Sequence, residues 1–295
     1  MFVKAIETAA AFTRPIHSIS RNYGSSTVIP GAATLFFVNT DGWALTCRHV
    51  VDLLVAEKAT ADKHAAFKAD LSTKSHSVSE KEHHRRVAQK HGYTPKTAVE
   101  VKVRLVGCVT DAAVKYDWFT HPTADVALLH FLNFTAIMYS GTAVFPVDAG
   151  SLKQGKSLCR LGFPFPEFNN FAYDAAADTI NWMDTGKADS PRFPIEGMVT
   201  RHLLDASGRV FGFEMSTPGL KGQSGGPAFD TDGKVWGIQY ATNHLDLDFD
   251  VDQEVFRNGE KKLVRDSAFL HVGWCVHVDV LKDFMRQHHV TFTEA

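Results

Sequence analysis

Residues 220–230 read L-K-G-Q-S-G-G-P-A-F-D: one serine, Ser224, set among three glycines and a proline, with Gln223 in front. Gly222, Gly225 and Gly226 suggest a backbone held where a Cβ would collide. A serine in such a turn is either an ordinary loop residue or a nucleophile. Its hydroxyl attacks nothing unless a base takes its proton, and that base needs a third group to fix its tautomer.

Two other stretches supply those groups. His49 lies in W-A-L-T-C-R-H-V-V-D (43–52), after a strand entered through the turn N-T-D-G. Asp125 lies in H-P-T-A-D-V-A-L-L-H-F (121–131), at the mouth of an apolar strand. The order His, Asp, Ser is one of those in which such a triad occurs.

Composition sets the frame. The 295 residues are enough for one large domain or two smaller ones, and 44% hydrophobic with 22% charged residues is ordinary for a globular protein. The 31 basic and 33 acidic residues nearly balance, which argues against a nucleic-acid partner. Cys47, Cys108, Cys159 and Cys275 are scattered without C-x-x-C spacing, so neither a metal site nor a disulfide framework is expected. The start, MFVKAIETAAAFTRP, is too short and interrupted for a signal peptide, and no apolar run reaches spanning length. A cytoplasmic chain without membrane contact is the expectation.

Short strand-like runs dominate: 33–38, 43–47, 99–109, 125–131, 156–163, 209–216, 234–241 and 270–278. The stretch T-D-G at 40–42 reads as a hairpin. Residues 52–91 are rich in Ala and Lys and read as helical. A second helix is expected over 279–290 with Asp279 as its N-cap.

Together these segments resemble the trypsin-like (chymotrypsin-fold) serine peptidases, and most closely their bacterial HtrA-like branch. The likeness rests on L-T-C-R-H-V-V, D-V-A-L-L and G-Q-S-G-G-P-A, with support from Q-G-K-S-L-C-R-L-G-F-P-F (154–165) and K-V-W-G-I-Q-Y-A (234–241). It spans roughly residues 30–285.

The resemblance implies an all-β fold of two antiparallel β-barrels, with a helical insertion in the first and a C-terminal helix. Within one peptidase domain over 1–295, the first barrel is expected at 20–135 with its insertion at 52–96. A linker over 136–150 and a second barrel over 151–278 follow. It further implies a serine endopeptidase working through an acyl-enzyme, with no cofactor and no metal. Ser224 would be nucleophile, His49 base and Asp125 its orienting carboxylate, with the N–H groups of Gly222 and Ser224 facing the oxyanion.

Where secreted trypsins carry an aspartate that pairs with a new N-terminus, this chain has Gln223 and no I-V-G-G start, so activation by that pair is not expected. Nor is a PDZ domain, since the chain ends near 295. The pocket floor falls at Pro218, with Leu220, Tyr240, Ala241, Thr242 and Gly273 around it. A small or medium apolar residue at the cleavage site follows from that floor. The partner is a protein or peptide substrate. The rival reading is a silent or gated protease fold that grips a peptide without cutting it.

Other features carry two readings each. The acidic alternation at 244–254 is either a half-buried strand with an acidic face or an oxygen-rich cation site, although Val251 stands where a calcium loop wants glycine. Insertion 52–96 is either a solvated helical hairpin or a lid or docking element for a regulatory partner. His83, His84, His288 and His289 read as exposed polar residues, and Cys47 as a small buried side chain.

Overall fold

β-Branched and aromatic runs broken by glycine turns build two antiparallel units in the computed structural model, which describes residues 1–73, 78–110, 115–257 and 259–295. Helix α1 (Val3–Phe12) leads into β1 (Thr13–Asn22), β2 (Val28–Phe37) and β3 (Trp43–Thr46). Helices α2 (Arg48–Ser72) and α3 (Glu80–Lys90) follow, then β4 (Ala98–Leu105), β5 (Val109–Thr110), β6 (Lys115–Thr120) and β7 (Ala127–Leu132). Short strands β8 (Ala136–Ile137) and β9 (Val144–Phe145) cross to the second unit. That unit holds β10 (Ser157–Gly162), β11 (Phe171–Asp174), β12 (Thr179–Trp182), β13 (Phe193–Leu204), β14 (Val210–Met215), β15 (Pro227–Phe229), β16 (Val235–Arg257) and β17 (Glu260–His277). Helix α4 (Val278–Gln287) and β18 (Thr293–Glu294) end the chain.

The architecture is chymotrypsin-like and mostly β. The second unit is a closed barrel in the order β10-β13-β14-β17-β16-β15, and the first is a six-stranded half-barrel, β4-β1-β2-β3-β7-β6. Its ladder stays open between β4 and β6, and the long helix α2 packs along β4. One apolar core runs through both units: Leu35, Phe37, Leu45 and Phe131 join Leu158, Phe213, Phe229 and Leu281 in a single cluster. That shared core fixes the two halves against each other and therefore sets the cleft between them.

Local chemistry explains the details. Asn39 Oδ1 accepts from the N–H groups of Asp41 and Trp43, and Gly42 takes φ +84°, so the hairpin expected at 40–42 forms. The insertion begins earlier than residue 52, because α2 starts at Arg48 directly behind β3. It builds a small core of its own from Phe67, Val87, Ala88, Tyr93 and Val99. Ser79 caps α3 by accepting from the Glu82 N–H.

The last helix starts one residue before its expected cap. His277 Nδ1 accepts the Asp279 N–H, so Asp279 sits in the first turn. Helix α1 and strand β1 were not expected. The helix buries Ala5, Ala9 and Phe12 along one face, the three-to-four spacing of a packed helix, and Phe2 meets Phe229 edge-on.

The acidic alternation at 244–254 belongs to a long ribbon of β16 and β17, and it is not half-buried: Leu247, Phe249 and Val251 are exposed. Its carboxylates meet cations across the ribbon, Asp250 with Arg265 at 2.8 Å and Glu254 with Lys261 at 2.6 Å.

Candidate active site

β3 ends at the buried Thr46 and Cys47 is the N-cap of α2, so His49 stands in the first helical turn. Asp125 sits in the turn between β6 and β7. The ring of His121 shapes that turn: its Nδ1 accepts the N–H groups of Ala124 at 2.9 Å and Thr123 at 3.2 Å. Burial, aided by the charges of Arg209 and Arg48, lowers the pKa of His121, which keeps Nδ1 free to accept.

Asp125 holds His49 twice, Oδ1 from its backbone N–H at 3.0 Å and Oδ2 at Nδ1 at 2.6 Å. A carboxylate only accepts, so Nδ1 carries a proton, and in the neutral ring that leaves Nε2 with the lone pair. Burial pushes the Asp125 carboxyl up, but the two hydrogen bonds from His49 and the charge of Arg48 outweigh it and leave it below its ordinary value. The hydrogen bonds thus favour the ionised form of Asp125 despite its burial.

The Ser224 turn is wedged between the two units. Thr34 of β2 donates its N–H to the Ser224 carbonyl at 2.9 Å and its hydroxyl to the Gly222 carbonyl at 2.8 Å. A Cβ on Gly225 would collide with the Thr34 carbonyl oxygen, and one on Gly226 with that of Leu161. The glycines are there because backbone from both sides passes where a side chain would stand.

Within this turn the N–H groups alternate. Those of Gln223, Gly225 and Gly226 donate to the carbonyls of Leu220, Gln239 and Gln223. Those of Gly222 and Ser224 donate to no acceptor among the described residues. Gly222 reaches this orientation at φ +101°. Two such unpaired donors beside a serine form the geometry that receives an oxyanion.

Gln223 is fully buried, and it braces the turn with its Oε1 on the Leu220 N–H and its Nε2 on the Phe193 carbonyl. The turn is thus held by a neutral amide. Ser224 Oγ itself has no hydrogen-bond partner among the described residues.

Cys47, His49 and Asp125 each bring one potential ligand atom within 4.8 Å of the others. The Cys47 thiol is buried, its pKa is pushed well up by burial and then by the Asp125 charge, and it donates to the Gln239 carbonyl at 3.2 Å. A protonated thiol is neither a ready ligand nor a ready nucleophile. Its contact has a structural use, because Gln239 O also accepts the Gly225 N–H, which ties the histidine strand to the serine turn.

Ser224 opens on a cleft of about 490 Å³. Pro218, Leu220, Tyr240, Ala241 and Thr242 all line it. Gly273 lies behind the wall, opposite Thr242 in the β16–β17 ladder and against the guanidinium of Arg160. Sequence reasoning did not find Thr34, His121, Lys221, His244, His271 or Arg160. Only His121, four residues before Asp125 in a Pro-containing turn, left a local signal.

Fold and site define a two-unit β protein with a hydrogen-bonded His–Asp pair and a glycine-framed serine, their segments joined through the Gln239 carbonyl. Residues 33–238, which contain all three, match the trypsin-like peptidase domain, and the chain belongs to that family. No curated protein matches it. Among solved structures it is similar to an HtrA-type protease with a tripeptide, at 11% identity and a TM-score of 0.49. The alignment covers 97% of this chain and 63% of that one, so the chain spans under two thirds of that protein's length.

Proposed function

We propose that the protein is a serine endopeptidase with His49, Asp125 and Ser224 as its triad. Two observations carry this reading together: the doubly bonded His49–Asp125 pair, and the unpaired N–H groups of Gly222 and Ser224 in a turn tied to the histidine segment through the Gln239 carbonyl. In the reaction Ser224 Oγ attacks the peptide carbonyl while His49 Nε2 takes its proton. The carbonyl oxygen gains negative charge, and the N–H groups of Gly222 and Ser224 receive it. His49 then returns the proton to the leaving amine, and the acyl-enzyme remains. Water, activated by the same nitrogen, releases the acid product. Asp125 stays ionised throughout and steadies the imidazolium.

A gated site is the second reading, and the unpartnered Ser224 hydroxyl favours it. The Ser–His hydrogen bond would close only when a substrate seats, as free enzymes often leave such contacts long.

Labelling of the intact protein with a fluorophosphonate tests both. The expected outcome is an adduct on Ser224 in the wild type and none in Ser224→Ala or His49→Ala. Labelling that appears only after a peptide is added supports the gate. No adduct under either condition leaves a protease fold that binds without cutting.

A further inference from the structure

Arg160, on β10, is completely buried, and its four hydrogen bonds all go to neutral acceptors. Nη1 donates to Gln239 Oε1 at 2.5 Å, and Nη2 to Thr217 O, Thr217 Oγ1 and Pro218 O at 2.6–3.0 Å. Its Nε has no partner among the described residues. No carboxylate among the described residues accepts from it, and burial lowers its pKa. A guanidinium stays protonated inside proteins, so a full positive charge lies here without a counter-ion.

Its place gives that charge a use. The guanidinium fills the space against Gly273 and bonds the carbonyl of Pro218, the floor of the cleft on which Ser224 opens. Gln239 stands between charge and cleft. Its Oε1 is committed to Arg160, so its Nε2 is the end left to donate, at present to the Ala241 carbonyl at 2.5 Å. The rim of the cleft adds one more cation and two imidazoles. Lys221 lines it with no ion pair among the described residues, and His244 and His271 line it with their Nδ1 atoms 2.5 Å apart. No acidic residue among the described ones lines it.

We infer that the primary pocket takes an acidic side chain, aspartate or glutamate, and that Arg160 acts through Gln239 as the specificity-determining charge. This rests on the reading of Ser224 as nucleophile. Pro218 alone would select a small or medium apolar residue. An apolar side chain, however, would leave Arg160 uncompensated, whereas a carboxylate donated by the substrate supplies the missing counter-charge. Gln239 Nε2, through its second N–H, and the Lys221 ammonium are the donors that meet it, since the Thr242 hydroxyl is committed to the Gly219 carbonyl at 2.6 Å.

The test uses the full chain and three peptides that differ only at the cleavage-site residue: Glu, its neutral isostere Gln, and Leu. The expected kcat/KM for Glu exceeds that for Gln and for Leu by about ten-fold or more. Arg160→Met should bring the Glu-to-Gln ratio toward one and Arg160→Lys should restore it, whereas a purely structural role would lower both peptides alike. If Arg160→Met does not fold, the rim variant Lys221→Ala/His271→Ala should still reduce the ratio by about three-fold or more.

Gln or Leu cleaved as fast as Glu overturns the inference. If the same protein still labels at Ser224, the peptidase reading survives that result. If nothing labels or cleaves, the affinity of Ser224→Ala for the three peptides decides the pocket: tighter binding of Glu upholds it and equal binding ends it.

Discussion

Strands β16 and β17 run through two environments. At the barrel end, Ile238 and Gln239 face Val276 and Cys275, and all four are buried. At the far end the same ladder carries Leu247, Phe249, Phe256, Leu263 and Phe269 into solvent, stitched by ion pairs that contribute little at an exposed surface. The near end positions chemistry: Gln239 bonds Arg160, Gly225 and Cys47. The far end touches none of these groups. The difference teaches that hydrogen-bonded strand by itself does not hold this site. Backbone packed on three sides does.

The sharpest way to break this comparison is to add one methyl group at the packed end. Gly225→Ala must take a side chain at φ +87° with the Thr34 carbonyl and the Thr46 hydroxyl in its way. It should cost more than about 3 kcal/mol and remove activity, as read by chemical denaturation and peptide hydrolysis. A stable, active variant would show that the turn yields.

A more gradual effect, spread over a pH range, concerns two buried rings. His277, at the base of β17, and His17, on β1, are both buried and both lowered to about 4, chiefly by burial. Their unfolded value is about 6.5, so between 6.5 and 4 the unfolded chain binds more protons than the folded one. Stability should be full above about pH 6.5, fall as pH drops toward 4 and level off below, by up to about 3 kcal/mol for each ring. A flat denaturation midpoint from pH 7 to 4.5 would contradict this.

The smallest effect belongs to the far end. Replacing residues 246–269 with a two-residue Asn-Gly turn keeps the Leu245–Leu270 pair and both cleft histidines. The melting temperature should move by no more than about 3 °C, and hydrolysis of short peptides by less than about two-fold. A larger loss would mean that the ribbon supports the site after all.

These contrasts also explain what could be read from the sequence. His49, Asp125 and Ser224 were legible because each sits in a local signature, a strand end or a glycine turn whose chemistry lies within a few residues. Most of the strands were legible for the same reason, through their apolar runs. Thr34 was not, because its two bonds reach residues nearly 190 positions away. Arg160 hid inside a strand run, and only folding brings it beneath Pro218 and beside Gly273. The half-burial expected at 244–254 failed because alternation specifies two faces of a strand, not whether anything covers either one.

The claim that His49, Asp125 and Ser224 act as one unit is tested most directly by the rate at which a fluorophosphonate modifies Ser224 in Asp125→Asn beside the wild type. The substituted amide keeps the shape of the carboxylate but holds the His49 ring in the wrong tautomer, with Nε2 protonated. The rate should fall by about a thousand-fold or more. A rate within a few-fold of the wild type would show that Ser224 is not activated through this pair.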